Sequence, residues 1–208
     1  MDFWCRFDAI ARENDVLRHP FYLRWSAGEL TVSELAEYSG QYRHAVVALA
    51  AASAQAAVGA REEDRRALTA HAAEEAEHVE LWDRFVDAVG GERSAAALPQ
   101  TAACAEAWSG GSGRSQLETL VALCAIESAQ PAISTTKREG LESRYGISGR
   151  AVAYFELHEQ LDVSHAQAAR ELIDARLDGA DHGALLAEAE RVLRANWELL
   201  DGVERVTA

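Results

Sequence analysis

The chain has 208 residues, of which 49% are hydrophobic and three are proline, with a formal net charge of −14. That composition fits one all-helical domain spanning residues 1–208. The negative balance excludes nucleic acid and anionic membrane surfaces as partners, since both are bound through a basic face. Cys5, Cys104 and Cys124 are sparse and lack CxxC spacing, which points to a reducing, cytoplasmic setting rather than a disulfide framework. The opening residues carry acids and no apolar signal core, so secretion is not expected.

A first helix is predicted from Phe3 to about Arg18, with Phe3, Phe7, Ile10 and Leu17 near one stripe, ended by His19-Pro20. A short aromatic segment, Phe21 to Trp25, closes at Gly28. Thr31-Val-Ser-Glu34 is a capping box that opens a long helix to about Val58, and a third helix runs from about Arg61 to Val89. Within the second, Ala45 to Ala60 is apolar but alanine-rich and shorter than the roughly 20 residues a bilayer requires. It therefore reads as a buried bundle helix.

A shorter helix lies around Ala102–Trp108, and Gly110 to Gly113 forms a loop. Ser115-Gln-Leu-Glu118 is a second capping box, starting a helix through Glu127 to about Arg144. Further helices follow from Ser148 to about Leu177 and from Leu185 to about Val203. The architecture expected is all-α, a single-domain bundle of about seven helices.

Three segments carry chemistry. His158, Asp162 and His165 stand at i, i+4 and i+7, on one helical face beside apolar Tyr154, Phe155, Leu157 and Leu161. Imidazole and carboxylate suit iron, manganese or zinc, and burying such groups without partners is costly. In the third helix Glu75 and His78 form a Glu-x-x-His pair, as dimetal carboxylate bundles use, with Glu74 as the reserve ligand. His71 shares the face of His78 but is read as an outer or surface residue. Glu127 interrupts an apolar run, and Pro131 four residues later removes the N–H that would bond its carbonyl, so a kink is expected there.

Glu75, His78, Glu127, His158, Asp162 and His165 make a carboxylate-rich set of six. Such a set suits two iron ions, with manganese the rival, rather than one structural zinc. Lys137 is the only lysine in the chain; a buried ammonium there could pair with a substrate carboxylate or change protonation state. Arg43 could hold a substrate carboxylate or serve one of the many acids. Tyr38 and Tyr42 could line a pocket or simply be core.

Taken together, His19-Pro-Phe-Tyr-x-x-Trp25, Gln41-Tyr42-Arg43-His44, Glu75-x-x-His78-x-x-x-Trp82, Glu127-x-x-Gln130-Pro131 and His158-x-x-x-Asp162-x-x-His165 resemble the haem-oxygenase-like diiron oxidase and oxygenase superfamily. The likeness is to its TenA/PqqC-like branch, near the para-aminobenzoate-forming, death-domain-associating members. The resemblance implies a seven-helix, haem-free fold that uses two irons and dioxygen as co-substrate, and a homodimer. It further implies a small amine or amino-acid substrate, or a tyrosine of the enzyme itself. It gives Glu75, His78 and His158 to one iron, Asp162 and His165 to the other, and Glu127 as bridge. It matches Lys137 to a lysine those members carry, with Tyr22 the candidate for a consumed tyrosine. Ile126 stands where those members have a tyrosine, and the glutamate-to-histidine spacing in the third helix is shortened. The competing readings are a metal-free TenA-like thiaminase, using Cys124 or Cys5 as nucleophile, and a non-catalytic regulatory homologue.

Overall fold

The computed structural model describes residues 2–111 and 113–207; Ser112, in the expected loop, lies outside them. Among the described residues there are eight α-helices and no strand: α1 (Phe3–Glu13), α2 (Pro20–Ala27), α3 (Val32–Val58), α4 (Glu62–Ala88), α5 (Pro99–Ser109), α6 (Gln116–Arg144), α7 (Ala153–Asp174) and α8 (His182–Thr207).

Local chemistry sets the ends of the long helices. Thr31 Oγ1 accepts from the Glu34 N–H at 3.2 Å, and Glu34 Oε2 accepts from the Thr31 N–H at 2.7 Å. Ser115 and Glu118 repeat the same exchange at the start of α6, so both capping boxes form as their spacing requires.

Three expectations are corrected. The first helix stops at Glu13, and Val16–Arg18 is a separate 3-10 turn. The aromatic segment after it is a helix, α2, because Pro20 occupies its first turn and His19 Nδ1 accepts the Phe21 N–H at 3.1 Å. His19-Pro20 is thus a start signal as well as a stop. The helix expected from Ser148 begins as a 3-10 turn, Gly149–Ala151, before α7 proper. At Pro131, α6 runs on unbroken as one helix to Arg144.

α3 lies along α4 and α6 along α7, while α5 packs on both α3 and α8. Three buried tryptophans tie helices together through indole N–H donors: Trp25 to the Lys137 carbonyl, Trp82 to the Ser39 carbonyl and Trp108 to the Val192 carbonyl. Where α2 crosses α6 there is no room for a side chain on Gly140, since a Cβ would stand 2.6 Å from Trp25 Cδ1. No described helix is long and apolar enough to cross a membrane.

Candidate metal centre

α4 presents His71, Glu75 and His78 along one face, and α7 presents His158, Asp162 and His165 along one of its own. The two faces meet antiparallel. The rings of His78 and His158 stand 4.6 Å apart at one end, and those of His71 and His165 stand 4.5 Å apart at the other. Glu127 enters from α6, its Oε1 3.0 Å from His71 Nε2. Glu75 Oε1 lies 3.0 Å from His78 Nδ1 and 3.8 Å from His71 Nε2. His165 Nδ1 lies 3.5 Å from Asp162 Oδ1.

Two triads can each close on one ion: Glu75, His78 and His158, all buried, and His71, Glu75 and His165. Glu75 belongs to both. Of the two adjacent glutamates it is the buried one; Glu74 is half-exposed and reaches only the outer side of His165, with Oε2 3.2 Å from Nε2.

The arrangement leaves nine buried polar atoms without a hydrogen-bond partner among the described residues. They are His71 Nε2, both Glu75 oxygens, His78 Nδ1, Glu127 Oε1, His158 Nε2, both Asp162 oxygens and His165 Nδ1. Such atoms are rare singly and costly in number, so a cluster of them requires a partner. The donor types are those that suit iron or manganese. His158 is oriented for such a role: its Nδ1–H donates to the Tyr154 carbonyl at 2.8 Å, which leaves Nε2 as the free lone pair.

The electrostatics of the side chains agree. Burial pushes His158 down to about 4 and Asp162 up to about 6. Burial also works against a charge on His71, but Glu127, Glu75 and Asp162 outweigh it and lift the ring to about 9. Asp162 raises His165, and His78 holds Glu75 below its ordinary value against its own desolvation. A cation in their midst would offset the desolvation of the Glu75 and Asp162 carboxylates.

A cavity of about 210 Å³ opens beside the second triad, lined by His71, Glu74, Glu127 and His165 among apolar side chains such as Leu68 and Leu172.

Lys137 is fully buried. Its Nζ stands 4.3 Å from the centroid of Tyr42 and 5.3–5.5 Å from those of Tyr22, Tyr38, Trp82 and Phe155. Desolvation alone drives its pKa well below the ordinary lysine value. Tyr22 is also buried, its hydroxyl 3.2 Å from that of Tyr38. Lys137 and Tyr22 are therefore brought together in one aromatic chamber. Arg43 is not brought to it: its guanidinium grips Asp83 of α4 through two bonds, at 2.6 and 3.2 Å, which favours the acid-partner role among its two readings.

His71, read from its spacing as an outer or surface residue, lies within the cluster and can close the second triad. The signal was present: His71-x-x-x-Glu75-x-x-His78 and His158-x-x-x-Asp162-x-x-His165 have the same spacing.

A family model described as iron-containing redox enzymes matches residues 36–197. A 4-aminobenzoate synthase of Chlamydia muridarum is 32% identical over 216 residues, covering 97% of this chain and 89% of the relative. A 4-aminobenzoate synthase of Nitrosomonas europaea is 30% identical, covering 94% and 88%. Among solved structures, a TenA homologue from Pseudomonas syringae superposes with a TM-score of 0.83 at 17% identity, covering 98% of this chain and 93% of that one. A TenA homologue from P. horikoshii gives 0.81 at 14% identity, covering 99% of each. The fold is thus haem-oxygenase-like, and the chain belongs to the family of iron-containing redox enzymes and is an oxidoreductase.

Proposed function

We propose that the chain is a non-haem diiron enzyme that activates dioxygen to oxidise a small amine or amino-acid-type substrate, and that its specific reaction forms 4-aminobenzoate from its own Tyr22. The nine orphaned polar atoms facing one another across α4, α6 and α7 carry the first part of this reading. Glu75, His78, His158, Asp162, His165 and Glu127 would hold the ions, and the bound iron pair would supply the electrons that activate dioxygen.

The rest falls to the chain's own groups. The cavity bordered by His71, Glu127 and His165 admits a small molecule to one side of the cluster. On the other side Trp82, Tyr38, Tyr42 and Phe155 exclude water from Tyr22 and Lys137. In that dry chamber burial drives the Lys137 ammonium towards its neutral amine, and its Nζ, set among the tyrosine rings, is the nitrogen that would become the amino group of the product as the phenol oxygen leaves. Ile126, where the resemblance led one to look for a second tyrosine, borders a different cavity with Trp108 and Asn196. Tyr22 stands with Tyr38 and Tyr42 around Lys137, and the resemblance favours it as the one consumed. The names of the Chlamydia and Nitrosomonas relatives support the same product.

A TenA-like thiol hydrolase is disfavoured by Cys124. Burial pushes its thiol up to about 11, so little thiolate exists at neutral pH.

The test is to strip the protein, add ferrous iron under nitrogen, count bound metal, then admit oxygen with a reductant. Two irons per chain, release of 4-aminobenzoate, and mass changes confined to the peptides bearing Tyr22 and Lys137 are expected. Tyr22→Phe should keep both irons and release nothing. Release of 4-aminobenzoate from Tyr22→Phe would overturn the assignment of Tyr22, and a protein that binds no iron would overturn the whole reading.

A further inference from the structure

α4 and α7 carry the same pattern of donors in opposite directions. His71, Glu75 and His78 run one way along α4; His158, Asp162 and His165 run the other way along α7. His78 meets His158 and His71 meets His165 at almost equal ring separations, 4.6 and 4.5 Å. The centre thus has a local two-fold relation in which each end presents one imidazole from each helix.

Resting on the diiron reading above, we infer that His71 is a seventh protein ligand, bound through Nε2 to the second ion, opposite His165. Each ion then receives two imidazoles, His78 with His158 and His71 with His165. The carboxylates of Glu75 and Asp162 lie between the two pairs.

Two observations carry this. His71 Nε2 is buried and has no hydrogen-bond partner among the described residues, although Glu127 Oε1 is only 3.0 Å away. Two atoms at that distance without hydrogen-bond geometry are arranged as neighbouring donors to a third body. His71 Nε2 also closes a triad with Glu75 and His165, the counterpart of the buried triad at the other end.

His71 also borders the cavity. The second ion would therefore be the one next to incoming small molecules, and the His78–His158 pair would stay enclosed.

The experiment uses the full chain loaded anaerobically with ferrous iron. In a crystal structure of that protein, His71 Nε2 should lie about 2.1 Å from an ion, an ordinary metal–imidazole distance. A separation beyond hydrogen-bond length, with both ions present, would overturn the inference while leaving the diiron reading standing. Loss of all metal from the natural chain would instead defeat that reading.

Variants give an independent measure. His71→Ala should bind the second ion at least tenfold more weakly, leaving one tightly held iron per chain. His71→Glu, which restores a ligand atom, should recover the second ion. A His71→Ala protein that holds two irons with natural affinity would overturn the inference. Should His71→Ala fail to fold, the loaded natural structure decides alone.

Discussion

Tyr154 and His158 stack face to face, with ring centroids 4.0 Å apart, one turn from each other on α7. The same tyrosine's carbonyl accepts the Nδ1 proton of His158. Ring and backbone thus fix both the tilt of the imidazole and its tautomer, which aims Nε2 at Glu75 and His78.

Tyr154→Leu removes the stack and keeps the carbonyl. It should still bind two irons, the enclosed one about tenfold more weakly, at the lower end of what outer partners of metal ligands are worth. Anaerobic metal titration measures this; unchanged affinity would show that the ring positions nothing.

With two imidazoles at each end, both halves of the centre should prefer iron to manganese, since nitrogen donors bind ferrous iron more tightly. Natural protein exposed to equal ferrous and manganous ion should take up iron in both positions. His71→Asp should admit manganese into one of them. Elemental analysis decides, and manganese in the natural chain at parity with iron would contradict the expectation.

Lys137 sets a pH dependence of stability. Its folded pKa is depressed by burial, so below the ordinary lysine value of about 10.4 the unfolded chain binds a proton that the folded chain does not. Stability therefore rises with pH from the depressed pKa up to about 10, by at most about 1.4 kcal/mol per pH unit for one proton. Lys137→Met lacks this slope. Its advantage in thermal midpoint over the natural chain should be large near neutrality and shrink as pH approaches 10. A constant difference across that range would mean that Lys137 is protonated in the fold.

Gly140→Ala tests the crossing of α2 and α6. The added methyl would press on the Trp25 indole, itself boxed in and bonded to the Lys137 carbonyl. Destabilisation of about 1–3 kcal/mol is expected from such overpacking, a fall of several degrees in thermal midpoint for a chain of this size. Calorimetry measures it directly.

What could be read without coordinates was local. The capping boxes at Thr31 and Ser115 fix the starts of α3 and α6 because both partners lie within four residues. The six donors first singled out follow helical spacing, and all six fall into the cluster. What stayed hidden depends on side chains far apart in sequence. Glu75 rather than Glu74 faces inward because of how α4 is rotated against α3 and α7, which spacing does not encode. Arg43 has its partner, Asp83, on another helix, 40 residues away. Lys137 is buried by rings from α2, α3, α4 and α7, and α2 was obscured because a proline that ends one helix can also begin the next.

The centre lies on a seam. α3 with α4 forms one helical hairpin and α6 with α7 another, and these pairs pack far more extensively than α4 meets α7. The donors of α4 and α7 sit where the two hairpins meet. Bound ions would act there as a clasp, adding coordination to the aromatic contacts that Trp82 and Phe85 make with Tyr154 and Phe155. Metal-free protein should breathe along this line, with amide exchange fastest around His71 and His165. Such an opening is also the route by which ions could reach residues that are otherwise sealed, so metal loading and local unfolding become one event.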